Sequence, residues 1–285
     1  MTVLSNSAAF SGNREMPDDV FAAIISIAHA EAGLLITEKK RALVQSRITR
    51  RLRALKIKDF RDYIDFVKST AGAEEVGNMI SVLTTNVSSF FREEHHFETI
   101  RSDIAPKLIT RAKENKRIRI WSAGCSTGQE PFTLAMLLKE MEPRIFEYDV
   151  KVLATDIDPN VISHALAARY DALQMSSIPD DIQSKYFKFD AGADRSGIVI
   201  DEIRQAIEFR QLNLLKDWPM KRKFDIIMCR NVVIYFDEET QARLWPKFRN
   251  QLADDGHLFI GHSERIIKPD ELGFEPAGIT MYRAA

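Results

Sequence analysis

The chain has 285 residues, which is enough for one large domain or two domains of ordinary size. Hydrophobic residues make up 45% of it and charged residues 28%, a composition that excludes an intrinsically disordered protein. The formal net charge is −1, so no global field attracts the protein to nucleic acid or to a membrane. The two cysteines exclude a disulfide framework and fit a reducing compartment. No signal pattern or membrane-length apolar run is present, and we expect a soluble, cytoplasmic protein.

The first part of the chain carries a helical pattern. Residues 1–15 are expected to form a flexible tail, and residues 16–85 an all-helical domain of four helices, since apolar residues recur there at three- and four-residue spacing. The four apolar stripes are Phe21, Ile24, Ile25 and Ala28; Val44, Ile48, Leu52 and Leu55; Phe60, Tyr63, Ile64 and Val67; and Val76, Met79, Ile80 and Leu83. We expect Gly33 to end the first helix and Thr37 to cap the second.

From residue 117 onward, short apolar runs alternate with helical segments. The runs at 119–122, 150–154, 224–228 and 257–260 are interpreted as buried strands, with helices near 130–142, 159–168 and 238–252. This alternation predicts a parallel sheet with crossover helices, and therefore an α/β fold. Residues 170–214 break the rhythm. The alternating runs at 197–201 and 206–210 are interpreted as part of a small antiparallel insertion.

The turn after the first strand predicts a nucleotide site. Gly124 and Gly128 allow that turn to approach a ligand closely, and Asp156 ends the second strand, where an acid can bind both hydroxyls of a ribose. A tight turn with a helix-capping aspartate would give the same pattern without any ligand. NAD and S-adenosylmethionine both suit such a site. The dinucleotide fingerprint G-x-G-x-x-G is absent, and residues 279–283 indicate a late antiparallel strand that follows a Pro- and Gly-rich loop, which together favour S-adenosylmethionine.

Two further loops carry polar residues. Residues 84–97 precede the sheet, and Phe90 and Phe91 can anchor this segment in a core, which leaves Arg92 either structural or functional. His95 and His96 are interpreted as packing and solvent-exposed residues, and no metal site is expected. The loop at 229–237 lacks the N/D-P-P-Y/F pattern of enzymes that methylate nitrogen. Cys125 and Cys229 are interpreted as small buried hydrophobic residues.

The second predicted helix and the residues after it are strongly basic. Nine cations and no acid lie between residues 39 and 58. They are Lys39, Lys40, Arg41, Arg47, Arg50, Arg51, Arg53, Lys56 and Lys58. Such a run is either a solvated helix face or a docking face for an acidic partner, and the uncompensated charge favours docking.

Five segments together resemble the chemotaxis receptor protein-glutamate O-methyltransferases. They are TTNVSSFFR (84–92) with His96 and Phe97, WSAGCSTGQEP (121–131), ATDID (154–158), CRNVVIYF (229–236) and GHSE (261–264). The similarity runs from about residue 18 through nearly the whole chain, in the family's order and spacing.

The resemblance implies an all-helical N-terminal domain, a linker at 86–110 that contributes to the cofactor site, and a class I (Rossmann-like) methyltransferase domain at 111–285. An antiparallel β-subdomain would be inserted at about 172–210. The cofactor-binding residues that the resemblance implies are Asn86, Ser88, Arg92, Glu130, Asp156, Asn213, Leu214, Arg230 and Asn231. Gly124 of the glycine turn is expected to join them. Arg92 and Tyr235 would lie nearest the reacting groups, and the basic helix, with Arg47, Arg50, Arg51 and Arg53, would dock the receptor.

The activity implied is methyl transfer from S-adenosyl-L-methionine to receptor glutamates, which leaves S-adenosyl-L-homocysteine. A glutamate carboxylate, with a pKa of about 4.3, is already ionised at neutral pH, so no general base is needed. We expect a monomer that binds receptor helices and neither binds nucleic acid nor inserts into membrane. A nucleic-acid methyltransferase, a methyltransferase for small carboxylates and a non-catalytic cofactor sensor remain as alternatives.

Overall fold

The computed structural model describes residues 15–190 and 195–285. The chain divides into two compact units between Thr85 and Asn86. Apart from Glu15, the tail predicted at 1–15 lies outside the described residues, as do residues 191–194 of the predicted insertion. No helix in the described ranges is long and apolar enough to span a membrane.

The first unit contains the four predicted helices. They are α1 Asp18–Ala32, α2 Arg41–Leu55, α3 Phe60–Lys68 and α4 Ala73–Leu83. Gly33 ends α1 as predicted, because its φ of 66° lies in the left-handed region and its N–H donates to His29 O at 2.7 Å. The predicted cap of α2 was wrong. Thr37 precedes a 3₁₀ turn, Glu38–Lys40, and Lys40 is the residue before α2.

The core of this unit is built from the predicted stripes. Ile24, Ile48, Tyr63 and Met79, one from each helix, are completely buried. Spacing by three and four residues places the apolar side chains of each helix on one face, and these faces pack together. No residue between 15 and 85 lies in a strand, as the sequence predicts.

The second unit is an α/β domain. Its helices are α5 Glu94–Thr99, α6 Ala105–Lys113, α7 Gln129–Met141, α8 Pro159–Ala167, α9 Asp180–Tyr186, α10 Asp201–Gln205 and α11 Glu238–Gln251, with a π-helical turn Ile100–Ile104 between α5 and α6. Its strands are β1 Ile118–Ala123, β2 Val150–Asp156, β3 Arg169–Tyr170, β4 Phe187–Phe189, β5 Gly197–Val199, β6 Ile207–Gln211, β7 Phe224–Cys229, β8 Leu252–Ile260, β9 Phe274–Gly278 and β10 Met281–Ala284.

Seven strands form the central sheet, in the order β6-β2-β1-β7-β8-β10-β9. The first five are parallel, and β10 is antiparallel to both β8 and β9. This confirms the parallel sheet and the late antiparallel strand. Because β2, β1, β7 and β8 are parallel, their carboxyl ends lie along one edge of the sheet, where α/β folds bind ligands. Trp121, Phe132, Ile226 and Phe259 are fully buried in the core around this sheet.

Two strand assignments were wrong. The run at 206–210 is not antiparallel, because β6 pairs parallel with β2 at the edge of the central sheet. Its Ile207 and Phe209 are buried while Glu208 and Arg210 are exposed, so a one-sided edge strand produced the alternation. Residues 274–278, interpreted as part of a loop, form the opposite edge strand β9, which tolerates Pro276 because an edge residue needs no second partner.

The predicted antiparallel insertion is confirmed as a separate small sheet. It has the strand order β3-β5-β4, with antiparallel pairing on both sides of β5. Tyr170 of β3 and Val199 of β5 are completely buried, so the small sheet shares the hydrophobic core of the second unit.

Candidate functional site

The turn after β1 is tied to the end of β2. Gly124 and Gly128 have φ of 90° and 97°, values that side chains disfavour. The N–H groups of Gly124 and Cys125 both donate to Thr155 O, at 2.7 and 2.9 Å. A Cβ on Gly124 would lie 2.3 Å from Val232 Cγ2, in the loop after β7. Gly124 therefore also permits contact between two loops, which the sequence did not predict.

Asp156 ends β2 and faces this turn. Its Oδ2 accepts the Ser126 N–H at 2.8 Å and its Oδ1 accepts the Asp158 N–H at 3.0 Å. Burial raises the pKa of the Asp156 carboxyl, and these two N–H groups oppose the rise. Each oxygen of a carboxylate can accept a second hydrogen bond, so Asp156 keeps the capacity to bind a diol.

Asn86 is brought to the same place. Its Nδ2 donates to Asp158 Oδ2 at 2.8 Å, and its carbonyl oxygen accepts the Ser126 hydroxyl at 2.8 Å. Asp158 also caps α8 through the Asn160 N–H at 2.9 Å. The segment that begins the second unit is thus fastened beside Asp156, and half-buried Ser88 follows on the same segment. The sequence did not predict the hydrogen bond between Asn86 and Asp158, although Asp158 lies in one of the five family segments.

Asn213 and Leu214 follow the neighbouring strand β6. The Leu212 N–H donates to Asp156 O at 2.9 Å, which continues the pairing of β6 with β2. The Asn213 side chain accepts the Leu215 N–H at 2.9 Å, and Leu214 is buried. Both predicted residues therefore lie next to Asp156.

A buried ion pair links helix α7 to the loop after β7. Arg230 is only 3% exposed, and its Nη1 lies 3.0 Å from Glu130 Oε2. Glu130 also accepts the Ser122 hydroxyl at 2.6 Å. Burial raises the pKa of the Glu130 carboxyl, while the Arg230 charge works in the opposite direction. Arg230 Nη2 contacts Arg92 O and lies 3.3 Å from Glu93 Oε2.

Glu93 connects three segments. Its Oε1 accepts the His262 N–H at 3.2 Å, lies 3.0 Å from His262 Nδ1 and accepts Asn231 Nδ2 at 3.3 Å. Burial alone would raise the pKa of the Glu93 carboxyl. The hydrogen bond from His262 and the Arg230 charge outweigh burial and lower this pKa to about 2. The sequence did not predict a role for Glu93, although this residue directly follows the family segment at 84–92.

Glu264 joins the loops after β7 and β8. Its carboxylate accepts the N–H groups of Asn231 at 3.0 Å, Ile234 at 3.2 Å and Gly261. Burial raises the pKa of Glu264, and the Gly261 and Asn231 N–H groups counteract the rise. The 3₁₀ turn Val233–Tyr235 is held in this way, and half-buried Tyr235 lies at its end. The GHSE segment therefore has a structural role, since its Glu264 fixes the loop after β7. The residue types alone did not reveal this role.

Arg92 is half-buried, and its Nη1 donates to Val87 O at 3.0 Å. The chain of contacts from Arg92 through Arg230, Asn231 and Glu264 thus reaches the turn that carries Tyr235. Apart from Gly124, whose turn packs on Val232, the predicted residues fall into two clusters. One surrounds Asp156 and the other surrounds Arg230, along the carboxyl edge of the sheet.

Of the residues predicted to pack, His96 and both cysteines are buried and His95 is half-buried. His96 is buried, and its Nε2 lies 2.9 Å from Thr280 Oγ1, so this side chain joins α5 to the hairpin between β9 and β10. Burial lowers the pKa of His96 to about 4, which keeps the ring neutral at physiological pH. Cys125 and Cys229 are buried, and burial raises the pKa of both thiols.

The basic helix α2 divides into two sets of side chains. Arg51 forms a bidentate pair with buried Glu75 of α4, at 2.8 and 2.6 Å, and Arg47 donates to Leu83 O and Thr84 O at 2.9 and 2.8 Å. Arg50 and Arg53 are exposed. Arg47 and Arg51 therefore also hold α4, and docking by the four arginines stays a prediction.

Comparison with known proteins identifies two family models in the chain. Residues 86–282 match the model described as "CheR methyltransferase, SAM binding domain", and residues 19–84 match "CheR methyltransferase, all-alpha domain". A probable chemotaxis protein methyltransferase of Rhizobium etli is 43% identical over 256 residues, covering 90% of this chain and 96% of the relative. The chemotaxis protein methyltransferase of Escherichia coli (strain K12) is 35% identical over 273 residues, covering 94% and 91%.

Among solved structures, a TehB-like SAM-dependent methyltransferase from Corynebacterium glutamicum aligns with a TM-score of 0.34 and 16% identity. The alignment covers 67% of this chain and 97% of that one. This similarity is too low to carry weight beside the relatives found by sequence.

Proposed function

This chain belongs to the CheR methyltransferase family, the S-adenosylmethionine-dependent methyltransferases of chemotaxis, and we propose that its substrates are glutamate side chains of methyl-accepting chemotaxis receptors. The product would be a glutamate methyl ester. The observation that supports this proposal is the connected network that runs from the Arg92 backbone to the Tyr235 turn along the carboxyl edge of the sheet. The Arg92 guanidinium and the Tyr235 hydroxyl are both groups that could bind a carboxylate.

The Asp156 cluster suits the cofactor. When bound, S-adenosyl-L-methionine supplies an electrophilic methyl group on a positively charged sulfur. We assign the ribose hydroxyls to Asp156, whose oxygens retain acceptor capacity beside the Ser126 and Asp158 N–H groups. The other proposed cofactor-binding residues are Asn86, Ser88, Arg92, Gly124, Glu130, Asn213, Leu214, Arg230 and Asn231. S-adenosyl-L-homocysteine would occupy the same residues after transfer.

The acceptor glutamate needs orientation more than activation. Its carboxylate is ionised at neutral pH, and a reactive approach requires the attacking oxygen about 3–3.5 Å from the methyl carbon. We propose that Arg92 and the Tyr235 hydroxyl each bind one carboxylate oxygen. A neutral hydroxyl withdraws less electron density from the nucleophile than a guanidinium does, so Tyr235 is proposed as the closer contact.

The exposed cations of α2 suit an acidic receptor surface. Arg50, Arg53, Lys56 and Lys58 are exposed at the C-terminal end of α2 and just beyond it. Attraction across such a face acts mainly on encounter and orientation, and salt weakens it over a Debye length of about 8–10 Å. The docking set proposed here is centred on Arg50 and Arg53, because both residues are exposed to solvent, whereas Arg47 and Arg51 are only partly exposed.

The test is transfer of a labelled methyl group to receptor-containing membranes, with DNA and free glutamate as competing acceptors. We expect label in the receptor only, and release of this label as methanol in mild alkali, because carboxylate esters hydrolyse there and N-methyl groups do not. Receptor carrying glutamine at the modified positions is the matched control. Alkali-stable label, or label in DNA or free glutamate instead of receptor, would refute the proposed substrate.

A further inference from the structure

His262 is an exposed side chain anchored at the functional edge of the sheet. It follows Gly261 directly after β8, and its side chain is 64% exposed. Both its backbone N–H, at 3.2 Å, and its Nδ1, at 3.0 Å, meet the same oxygen of Glu93, whose own side chain is only 10% exposed. An imidazole held at one nitrogen and open at its far side is arranged to bind something that approaches from solvent.

The Glu93 contact determines which ring nitrogen carries a proton. The pKa of Glu93 is lowered to about 2, so its carboxylate is ionised and can only accept hydrogen bonds. Nδ1 of His262 must therefore be the donor in this contact. Nε2, on the opposite side of the ring, is left for another partner.

The surroundings of His262 are those of the proposed acceptor site. Glu93 follows Arg92 directly in the chain and also binds the Asn231 side chain at 3.3 Å. Glu264, two residues after His262, holds the turn that ends at Tyr235. The loop bearing His262 is thus joined to both segments that carry the proposed carboxylate-binding residues.

We propose that His262 is a third binding residue for the methyl-accepting glutamate, and that its Nε2–H donates to the substrate carboxylate. This inference rests on the proposed function. Because Nδ1–H is already given to Glu93, this donation needs a ring that carries hydrogen on both nitrogens, and the Glu93 carboxylate would compensate its charge. His262 keeps its proton while the carboxylate oxygen bonds to the methyl carbon and the electron pair of the methyl–sulfur bond goes to sulfur. The neutral ester is a weaker acceptor than the carboxylate, which favours product release.

Two substitutions separate binding from a purely structural role. Asparagine places its Nδ2 near the position of the histidine Nδ1, so His262→Asn can keep the bond to Glu93 while it lacks the outer nitrogen. His262→Ala removes both. We expect each variant to raise the KM for receptor by roughly 10- to 100-fold, the scale of one charge-assisted hydrogen bond. Affinity for S-adenosyl-L-homocysteine, measured by calorimetry, should stay within about twofold of the unmodified protein.

Arg265→Ala is the matched control, because it removes an exposed cation from the same loop. It should change the KM much less than either His262 variant. The inference is overturned if His262→Asn has the same KM for receptor as the unmodified protein. It is overturned as well if the KM rises only together with a loss of cofactor affinity. It is also overturned if both His262 variants behave like Arg265→Ala while the unmodified protein methylates receptor. If the unmodified protein transfers no methyl group to receptor, the proposed function fails and this inference falls with it.

Discussion

Replacing Arg51 with alanine is expected to destabilise the helical unit, whereas replacing its neighbour Arg50 is not. The Arg51 guanidinium makes two hydrogen bonds to Glu75, a carboxylate that is only 4% exposed. Breaking a buried ion pair by removing one partner costs about 3–5 kcal/mol. The Tyr63 hydroxyl at 2.9 Å and Asn78 Nδ2 at 3.2 Å would still bind Glu75, and Arg51 is 22% exposed, so we expect about 2–4 kcal/mol.

Urea unfolding of the full chain, followed by circular dichroism, measures this loss. Arg50→Ala should change the free energy of unfolding by no more than about 0.5 kcal/mol, as exposed positions usually do. Adding Glu75→Gln to Arg51→Ala should recover part of the stability, because a neutral amide is cheaper to bury without a cation than a carboxylate is. Receptor methylation should fall in Arg50→Ala at unchanged stability. Equal, small effects of Arg50→Ala and Arg51→Ala on stability would show that the Arg51–Glu75 pair contributes nothing.

Four other expectations concern the α/β unit. Asp156→Ala should weaken cofactor binding by about 1.5–3 kcal/mol in calorimetry, and unchanged affinity would remove Asp156 from the site. Tyr235→Phe should lower kcat while cofactor affinity is retained, and full turnover would exclude a role for the hydroxyl. Because the pKa of Glu93 in the folded protein is about 2, below its ordinary value of 4.5, its stabilisation is present above pH 4.5 and lost toward pH 2. The advantage of the unmodified protein over Glu93→Gln should therefore shrink by about 1–2 kcal/mol in acid unfolding, a figure reduced for solvent screening, and a constant difference would contradict this. Glu264→Gln should lower the free energy of unfolding by about 1.5–3 kcal/mol, because the NH2 group of the introduced amide cannot accept a backbone N–H as the carboxylate oxygen does. An unchanged urea midpoint would argue against a stabilising role for these hydrogen bonds.

Patterns confined to one element were predicted well from the sequence. The three- and four-residue spacing of Ile24, Ile48 and Met79 with their neighbours encodes which helix face is buried, and that signal does not depend on the partner. The parallel sheet was predictable in the same way, because its central strands are largely buried and mostly apolar. Asp156 could be placed at the carboxyl edge of the sheet because it is the last residue of such a strand.

Patterns with two structural solutions were not resolved by the sequence. The alternation at 206–210 fits a strand with one face exposed, and both an antiparallel insertion and a parallel edge strand have such a face. Only the pairing of β6 with β2 decided between them. Pro276 lies in a strand for a related reason, because a residue at the sheet edge can leave its outer side unpaired.

By itself, the sequence determined the family and most of the elements, and it located the proposed site at the carboxyl edge of the sheet, because those follow from local periodicity and from motifs that are contiguous in the chain. Only the tertiary structure decided which charges are paired. Arg50 and Arg51 are adjacent in one basic run, yet one is exposed and the other binds Glu75, which lies 24 residues further along. The roles of Glu93 and Glu264 were likewise visible only in the tertiary structure. A carboxylate's role depends on the N–H groups and cations that folding brings to it from distant elements.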